Sequence, residues 1–279
     1  MWTLQVACPD RPGLVASLSG CLFQHGANIV DADQHTDPDD RSFHQRIRFE
    51  LAAGREADLT SALAALAAEQ GMTWRLRRPG GVARMAIFVS KLDHCLYDLL
   101  VRNGAGELPC EIAVVISNHP DLAPIAAHFG IPFRVFAITP ETRAAHDAAV
   151  SAFLEEQSID LVVLARYMQI VSPALVAKYQ GRIINIHHSF LPAFVGARPY
   201  HQAHERGVKL IGATAHYVTD VLDEGPIIEQ DVIRATHRDT IDDLVRKGRD
   251  VERAVLGRAV RWHLEDRVLI YGNRTVVFA

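Results

Sequence analysis

The hydrophobic pattern of the chain changes once, near residue 80. Before that point, apolar positions alternate in "WTLQVAC" and "MTWRLR", which is typical of strands with one buried face. Two stretches between them carry leucines at helical spacing, beginning at Leu14 and at Leu59, and "ANIVDADQH" and "SFHQRIRFEL" add two more strands. The order βαββαβ over residues 1–78 predicts a ferredoxin-like unit with an antiparallel sheet.

After a predicted linker at 79–83, rich in Pro and Gly, the strands become nearly continuous apolar runs: "MAIFVS", "EIAVVIS", "IDLVVLAR" and "RIINIHH". Such runs are typical of strands buried on both faces of a parallel sheet. Helices are predicted near 94–102, 121–129, 141–157 and 240–264. Residues 84–279 are therefore predicted to form an open, mostly parallel α/β domain. Ligands of such domains bind beyond the carboxyl ends of the strands.

Composition narrows the classes of function. The 279 residues are 49% hydrophobic with a formal net charge of −4, which predicts a globular protein without a nucleic-acid partner, since phosphate backbones are held by excess Lys and Arg. The four cysteines are far apart and form no C-x-x-C pair, so neither a disulfide framework nor a thiolate metal site is predicted. We expect no signal peptide, no membrane span and a cytoplasmic location.

Candidate chemistry lies at the end of the strand in "RIINIHHSFLP". Asn185 and His187 share one face of this strand, whereas His188 points the other way and is predicted to be structural. An amide and an imidazole can both donate to an oxyanion, and the imidazole can also move a proton. A hydrogen-bonded structural histidine is the alternative. Further on, Asp223 in "LDEGP" either orients a water and an imidazole or only begins a turn.

These segments carry a family resemblance. "NIHHSFLPAFVG" followed by "ATAHYVTDVLDEGPII" resembles the active-site signature of folate-dependent formyltransferases, and "DRPGLVASLSGCLFQHGANIVDAD" resembles an ACT domain. An ACT domain followed by this catalytic domain is the layout of the formyltetrahydrofolate deformylase family. The resemblance covers essentially the whole chain and implies a Rossmann-like formyltransferase fold for the second domain.

The resemblance implies hydrolysis of 10-formyltetrahydrofolate to formate and tetrahydrofolate, with formate supplied to purine biosynthesis. Asn185 and His187 would stabilise the oxyanion, and Asp223 would orient water and manage protons. The folate is the only small molecule expected in the site, with no further cofactor and no metal. The loop 190–200 is predicted as a wall of the site. The substrate-binding residues implied are Met168, Gln169, Ile170 and His216.

The N-terminal unit has its own candidate site. In ACT domains an amino-acid effector often binds where this chain has Arg11, Gly13 and Asn28, although "RPG" is equally a good helix start. ACT sheets commonly pair side by side, so a homo-oligomer is expected. On the last helix, charges that include Glu252 alternate in sign, which predicts a solvated face. His201 and His204 are predicted on a solvent-facing helix without metal.

The acceptor of the formyl group is water or an amine. Glycinamide ribonucleotide formyltransferases resemble this domain but have a Gly- and Ser-rich phosphate loop after the first strand, where this chain reads "VSKLDHC". Asp93 would repel a phosphate there, so water is predicted as the acceptor. Methionyl-tRNA formyltransferases resemble the same domain with a basic C-terminal extension, which is not seen here. A non-catalytic sensor has no support, because all three catalytic positions carry suitable residues.

Overall fold

The computed structural model describes residues 1–139, 143–193 and 199–279. They form two compact units. The first consists of Met1–Gly81, Asp266–Tyr271 and Thr275–Ala279. The second consists of Val82–Glu265 and Gly272–Arg274.

The first unit is the predicted ferredoxin-like fold. Its sheet has the order β2-β3-β1-β4, and all three pairings are antiparallel. The two helices cover one face, where Leu4, Leu22 and Leu59 are fully buried. The elements are β1 (Trp2–Pro9), α1 (Leu14–Gln24), β2 (Ala27–Asp37), β3 (Ser42–Leu51), α2 (Glu56–Gln70) and β4 (Thr73–Arg77).

On β1 and β3 the other face of this sheet is polar but also buried. It packs against the C-terminal segment of the chain, where β12 (Val268–Tyr271) pairs with β13 (Arg274–Val277). Gln5 Nε2 donates to the carbonyl oxygens of Asp266 and Val268, each at 3.0 Å, and Arg46 Nε donates to the Asp266 carbonyl at 2.9 Å. Buried polar side chains require such partners. The last residues therefore pack with the first unit, which differs from the predicted range 84–279.

The second unit is built on a seven-stranded sheet of order β11-β10-β9-β8-β5-β6-β7. The pairings from β9 through β8 and β5 to β7 are parallel, whereas β10 is antiparallel to both of its neighbours, so the predicted mostly parallel sheet is confirmed. The strands are β5 (Ala83–Val89), β6 (Cys110–Ser117), β7 (Phe133–Val135), β8 (Leu161–Leu164), β9 (Ile183–His187), β10 (Leu210–Tyr217) and β11 (Ile227–Arg234). The helices are α3 (His94–Gly104), α4 (Ala123–His128), α5 (Arg143–Glu156), α6 (Pro173–Lys178), α7 (Pro199–Glu205) and α8 (Ile241–Leu264).

The order in which strands are added to the sheet reverses at β5. The chain adds β6 and β7 on one side of β5 and then returns to add β8 and β9 on the other, so the loops that follow β5 and β8 lie side by side. A hydrogen bond joins them, in which the Met168 amide donates to Ser90 Oγ at 3.1 Å. Open α/β sheets bind ligands in the crevice at such a switch point.

The long helix α8 follows a polar turn and packs across the sheet. Its capping box is formed by Thr240, whose hydroxyl accepts from the Asp243 amide at 3.2 Å, and by Asp243, whose carboxylate accepts from the Thr240 amide at 2.9 Å. Such a box satisfies two backbone donors of the first turn. In the described ranges, no helix has the length and apolar character that crossing a membrane requires.

Candidate active site

A cavity of about 450 Å³ opens at the carboxyl ends of β8 and β9. The segment that follows β8 lines one side, the segment that follows β10 lines the other, and the end of β9 forms the base. All of the predicted catalytic and substrate-binding residues contribute to this lining: Asn185, His187, Asp223, Met168, Gln169, Ile170 and His216. Residues that are far apart in the sequence thus meet in one place.

Strand β9 presents Asn185 and His187 on the same face because side chains alternate along a strand. Its apolar residues Ile183, Ile184 and Ile186 are 1%, 0% and 3% exposed, which fixes the strand in the sheet interior. In the register with β10, Asn185 lies opposite His216. A rigid central strand therefore carries the two polar side chains into the cavity.

Asn185 is oriented by His216. The Nδ1 atom of His216 lies 2.9 Å from the Tyr217 carbonyl oxygen, which can only accept, so Nδ1 carries the proton. Burial lowers the pKa of His216, and the neutral ring therefore has a bare Nε2. This atom accepts from Asn185 Nδ2 at 3.2 Å. One amide N–H of Asn185 is thus fixed on His216, and the other remains for a ligand.

His187 is paired with Asp223. His187 Nδ1 lies 3.3 Å from Asp223 Oδ1, so this nitrogen donates and the ring orientation is set. The hydrogen bond from His187 lowers the pKa of Asp223 more than burial raises it, and the carboxylate is charged at neutral pH. His187 Nε2 is buried and has no hydrogen-bond partner among the described residues. An imidazole held in this way can donate or accept at Nε2.

The turn that carries Asp223 is built closely against β10. Asp223 has φ of 58°, in the left-handed region that few residues other than glycine adopt readily. At Gly225 a Cβ atom would lie 1.7 Å from the Tyr217 carbonyl oxygen, so only glycine fits. The Tyr217 amide donates to the Pro226 carbonyl at 2.9 Å. The turn predicted at Asp223 is therefore present, and it holds the side chain for which a catalytic role is predicted.

The chain after His187 is fixed by Thr214, a fully buried residue of β10. Its hydroxyl donates to the Ser189 carbonyl at 2.9 Å and accepts from the Leu191 amide at 3.0 Å. Gln230 on β11 adds a bond from Nε2 to the Leu191 carbonyl at 3.0 Å. Sequence reasoning did not assign a role to Gln230. Of the loop 190–200 predicted as a wall, residues 194–198 lie outside the described residues.

The two sides of the cavity are apolar and open to solvent. Met168 and Ile170 are 58% and 61% exposed on one side, and Val221 and Leu222 are 56% and 62% exposed on the other. Exposed apolar pairs that face a common cavity suit a flat, partly apolar ligand. The Met168 amide donates to Ser90 Oγ, so this amide is not available for a hydrogen bond with a ligand.

Two lining residues were missed or assigned differently from the sequence. Arg166 was not singled out, and His188 was predicted to be structural, yet both line the cavity. Burial, followed by the neighbouring Arg166, lowers the pKa of His188 to about 4. Strand parity does not extend to His188, because β9 ends at His187. The sequence signal that could have placed His188 in the cavity is its position directly after the end of β9.

One group in the described residues has the donor types for a metal: His94, Cys95 and Glu252, all buried. Its geometry does not suit one. His94 Nε2 and Glu252 Oε2 are 2.7 Å apart, a hydrogen-bond distance, whereas two ligands of one tetrahedral zinc lie about 3.3 Å apart. Burial also raises the pKa of the Cys95 thiol well above its ordinary value, and the Arg166 cation lies 3.5 Å from Glu252.

Glu252 is also where the sequence prediction for α8 is wrong. A solvated face was predicted, but Glu252 is 1% exposed. Residues at four-residue spacing, namely Leu244, Gly248, Glu252 and Leu256, are all buried on one side of this helix. His201 and His204, in contrast, are exposed on α7 as predicted.

The predicted effector residues occupy the first unit. Gly13, with φ of 94°, forms the turn before α1, and Arg11 donates to Gln70 Oε1 at 2.9 Å at the end of α2. Asn28 is exposed on β2. Among the described residues, no hydrogen bond joins the side chains of Arg11 and Asn28, and the role of Arg11, Gly13 and Asn28 as an effector site stays a prediction.

Comparison with known proteins assigns the class. Residues 83–260 match the family described as formyl transferase, and residues 2–70 match the ACT domain. The chain is 55% identical over 279 residues to the formyltetrahydrofolate deformylase of Synechocystis sp., with 99% of this chain and 98% of the relative covered. These matches define an ACT domain joined to a formyl transferase domain.

Solved structures narrow the class further. A formyltetrahydrofolate deformylase from Pseudomonas syringae superposes with a TM-score of 0.96 and 48% identity, covering 100% of this chain and 94% of the other. Glycinamide ribonucleotide transformylase 1 from Symbiobacterium toebii superposes with a TM-score of 0.67 and 35% identity, covering 72% of this chain and 96% of the other. The chain belongs to the formyltetrahydrofolate deformylase family.

Proposed function

We propose that the chain hydrolyses 10-formyltetrahydrofolate to formate and tetrahydrofolate. The observation that carries the proposal is the pair formed by His187 and Asp223 in the cavity that Asn185 also lines. His187 Nε2 has no hydrogen-bond partner among the described residues. Membership in the deformylase family supplies the substrate class.

In the proposed reaction the formyl oxygen lies between Asn185 and His187. The amide N–H that His216 does not use, and a proton on His187 Nε2, donate to this oxygen as negative charge develops. Donors that are fixed in advance stabilise this charge because little reorganisation is needed as it develops. Asp223 stabilises the imidazolium form through Nδ1.

Water is the proposed nucleophile. Asp223 uses Oδ1 for His187, and in this proposal its other oxygen holds a water molecule. A C–O bond forms between water and the formyl carbon, and one proton of the water passes to Asp223. The C–N bond then breaks as the folate nitrogen takes up the proton held by Asp223. Tetrahydrofolate and formic acid leave, and the acid loses its proton to solvent as formate.

The proposal is tested by following formate release from 10-formyltetrahydrofolate without added amine. Asn185→Ala removes one oxyanion donor, and we expect kcat to fall by about 10²–10³-fold. Asn273→Ala, in an exposed turn, is the matched control and should keep wild-type kcat. Full activity in Asn185→Ala, with the fold confirmed by circular dichroism, would sink the proposed oxyanion site.

Transfer of the formyl group to an amine is the second candidate, because the transformylase from Symbiobacterium toebii shares the fold of the second unit. Its name indicates that it acts on glycinamide ribonucleotide, an amine that carries a phosphate. Product analysis with and without glycinamide ribonucleotide separates the two reactions. We expect formate as the product in both assays.

We also propose an amino-acid effector at Arg11, Gly13 and Asn28, and a homo-oligomer formed through the N-terminal sheets. In support, β2 is an edge strand of this sheet with an exposed surface, and the ACT match covers these residues. Calorimetric titration of the full chain with single amino acids tests the effector, and sedimentation equilibrium tests the assembly. Formate supply to purine biosynthesis, a cytoplasmic location and the lack of a further cofactor stay predictions.

A further inference from the structure

Arg166 is a buried cation in the cavity lining that the proposed mechanism does not use. Its side chain is 9% exposed. A guanidinium group is always charged and carries five N–H donors. Among the described residues, no hydrogen-bond partner is found for these donors, and Nε is closed to solvent. Because buried polar groups are normally paired, a set of unused donors at a cavity indicates a ligand site.

The backbone at Arg166 is held in an uncommon conformation. Its φ is 64°, in the left-handed region that few residues other than glycine adopt readily. On one side of Arg166, the Ala165 amide donates to the Phe88 carbonyl at 2.8 Å. On the other side, the Met168 amide donates to Ser90 Oγ at 3.1 Å. Such conformations persist where the surrounding structure enforces them, and they are frequent at ligand sites.

Glu252 holds the guanidinium group of Arg166 without using its donors. Arg166 Nε lies 3.5 Å from Glu252 Oε2, close enough for an ion pair, but it forms no hydrogen bond there. The two carboxylate oxygens of Glu252 accept from His94 Nε2 and from the Tyr200 hydroxyl, each at 2.7 Å. The carboxylate therefore keeps the cation in place and leaves its N–H groups for another acceptor.

His188 adds a second donor on the same side of the cavity. Its ring centre lies 5.1 Å from that of His187 and 6.4 Å from that of Tyr200. Burial and the nearby Arg166 cation lower the pKa of His188 to about 4, so the ring is neutral at neutral pH and carries one N–H. Among the described residues, this ring has no hydrogen-bond partner. A cation and a neutral donor thus lie near His187, where the formyl group reacts in the proposed function.

The charges in the cavity favour an anion near Arg166. Asp223, in the segment that lines the other side, is ionised at neutral pH because the hydrogen bond from His187 lowers its pKa. In the proposed reaction, formic acid forms at His187 and becomes formate when it loses its proton to solvent. Formate is repelled by the Asp223 carboxylate and attracted by the guanidinium group. The planar fork of an arginine also matches the two oxygens of a carboxylate.

We propose that Arg166 and His188 form a subsite for the product formate, which accepts hydrogen bonds from the guanidinium group and from the imidazole. The inference rests on the proposed function, because that function supplies formate at this place. The ligand must be small, since Arg166 is buried and His188 is half-buried. Glu252 balances part of the charge of Arg166, so we expect formate to be held weakly enough to leave.

The test measures formate as an inhibitor of the hydrolysis of 10-formyltetrahydrofolate, with sodium chloride used to keep the ionic strength constant. Initial rates are followed by the release of tetrahydrofolate, because added formate masks the formate that the reaction produces. Arg166→Met keeps an unbranched side chain without N–H groups. Arg166→Lys keeps the charge without the planar fork. Arg238→Met, at an exposed arginine, is the matched control.

We expect the inhibition constant for formate to rise about tenfold or more in Arg166→Met, the value of a lost hydrogen bond to a charged group. Arg166→Lys should raise it less, because the charge remains. The KM for the folate should stay unchanged in both variants, and Arg238→Met should keep the wild-type constant. His188→Phe, which keeps a ring but has no N–H, should also raise the constant, and it provides the readout if Arg166→Met does not fold.

The outcomes separate the subsite from the proposed function. If the wild type releases no formate from the folate, the proposed function fails, and binding of isotope-labelled formate to the same preparation, followed by NMR, still tests the subsite. If the wild type hydrolyses the folate but formate inhibits it and the folded variants equally, or inhibits none of them, the subsite is overturned. A rise in the KM with an unchanged inhibition constant also overturns it, because Arg166 would then contact the folate.

Discussion

Two of the histidine–carboxylate pairs described in the second unit have opposite surroundings. His187 and Asp223 are 3.3 Å apart, and the Asp223 side chain is 14% exposed in the cavity. His94 and Glu252 are 2.7 Å apart, and the Glu252 side chain is 1% exposed. The first pair keeps a carboxylate oxygen and an imidazole nitrogen for a ligand, whereas Tyr200 takes the second oxygen of Glu252. Access to the remaining atoms, and not residue type, distinguishes the open pair, His187 and Asp223, from the closed pair, His94 and Glu252.

Charge does not distinguish the two carboxylates. The hydrogen bond from His187 lowers the pKa of Asp223 below its ordinary value. Burial raises the pKa of Glu252, but the bond from His94 and the nearby Arg166 lower it more, so its net shift is also downward. Both groups are therefore ionised at neutral pH. The expected differences between the pairs lie in activity and in stability.

The largest effect should come from exchanging each carboxylate for its amide. Asp223→Asn cannot stabilise the imidazolium of His187 or take a proton from water, and we expect kcat to fall by about 10³–10⁴-fold with little change in unfolding free energy. Glu252→Gln should show the reverse, with a loss of about 3 kcal/mol in stability and hydrolysis within about tenfold of wild type.

Steady-state kinetics and urea unfolding of the same two preparations check this prediction. Equal kinetic losses in both variants would contradict the distinction between an open and a closed pair. Equal stability losses would show that Asp223 is as structural as Glu252.

The sequence predicted the open pair better than the closed one. Strand parity alone placed Asn185 and His187 on one face, since β9 is a regular interior strand. Asp223 was found by family resemblance, because spacing on its own also fits a simple turn. Glu252 was assigned to a solvated face from alternating charges, although its four-residue spacing from Leu256 and Gly248 marks the buried side of α8.

The fold shows the same division. Local hydrophobic periodicity predicted both sheets and the main helices. It did not predict that the chain returns after α8 to cover the outer face of the first sheet. That contact is polar, with Gln5 and Arg46 donating to the backbone near Asp266, and polar residues on alternate strand positions normally indicate a solvated face.

The next prediction concerns His188, which lies between the two pairs. Burial and Arg166 lower its pKa to about 4, below the ordinary 6.5. The unfolded chain therefore takes up a proton first as the pH falls. The stability due to neutral His188 is fully present above about pH 6.5 and is lost progressively toward about pH 4, by about 3 kcal/mol in total.

His188→Gln should remove that part of the pH dependence. Urea unfolding at pH 7 and at pH 4.5 measures the difference, and His201→Gln, at an exposed site, is the matched control. If His188→Gln and wild type lose the same stability between pH 7 and pH 4.5, burial and Arg166 do not hold His188 in its neutral form.

The smallest expected effect is at His216, which is hydrogen-bonded to Asn185 and lies 3.8 Å from Asp223 Oδ1. His216→Phe keeps the ring volume but offers no acceptor to Asn185 Nδ2, so the amide is free to rotate and kcat should fall about tenfold, the value of one net hydrogen bond. His216→Gln, which restores an acceptor oxygen, should recover most of this loss, and KM should stay unchanged in both. A rise in KM with constant kcat would instead make His216 a substrate contact. A purely structural histidine would not give both this recovery and an unchanged KM. In that case the defect in His216→Gln would be no smaller than the defect in His216→Phe.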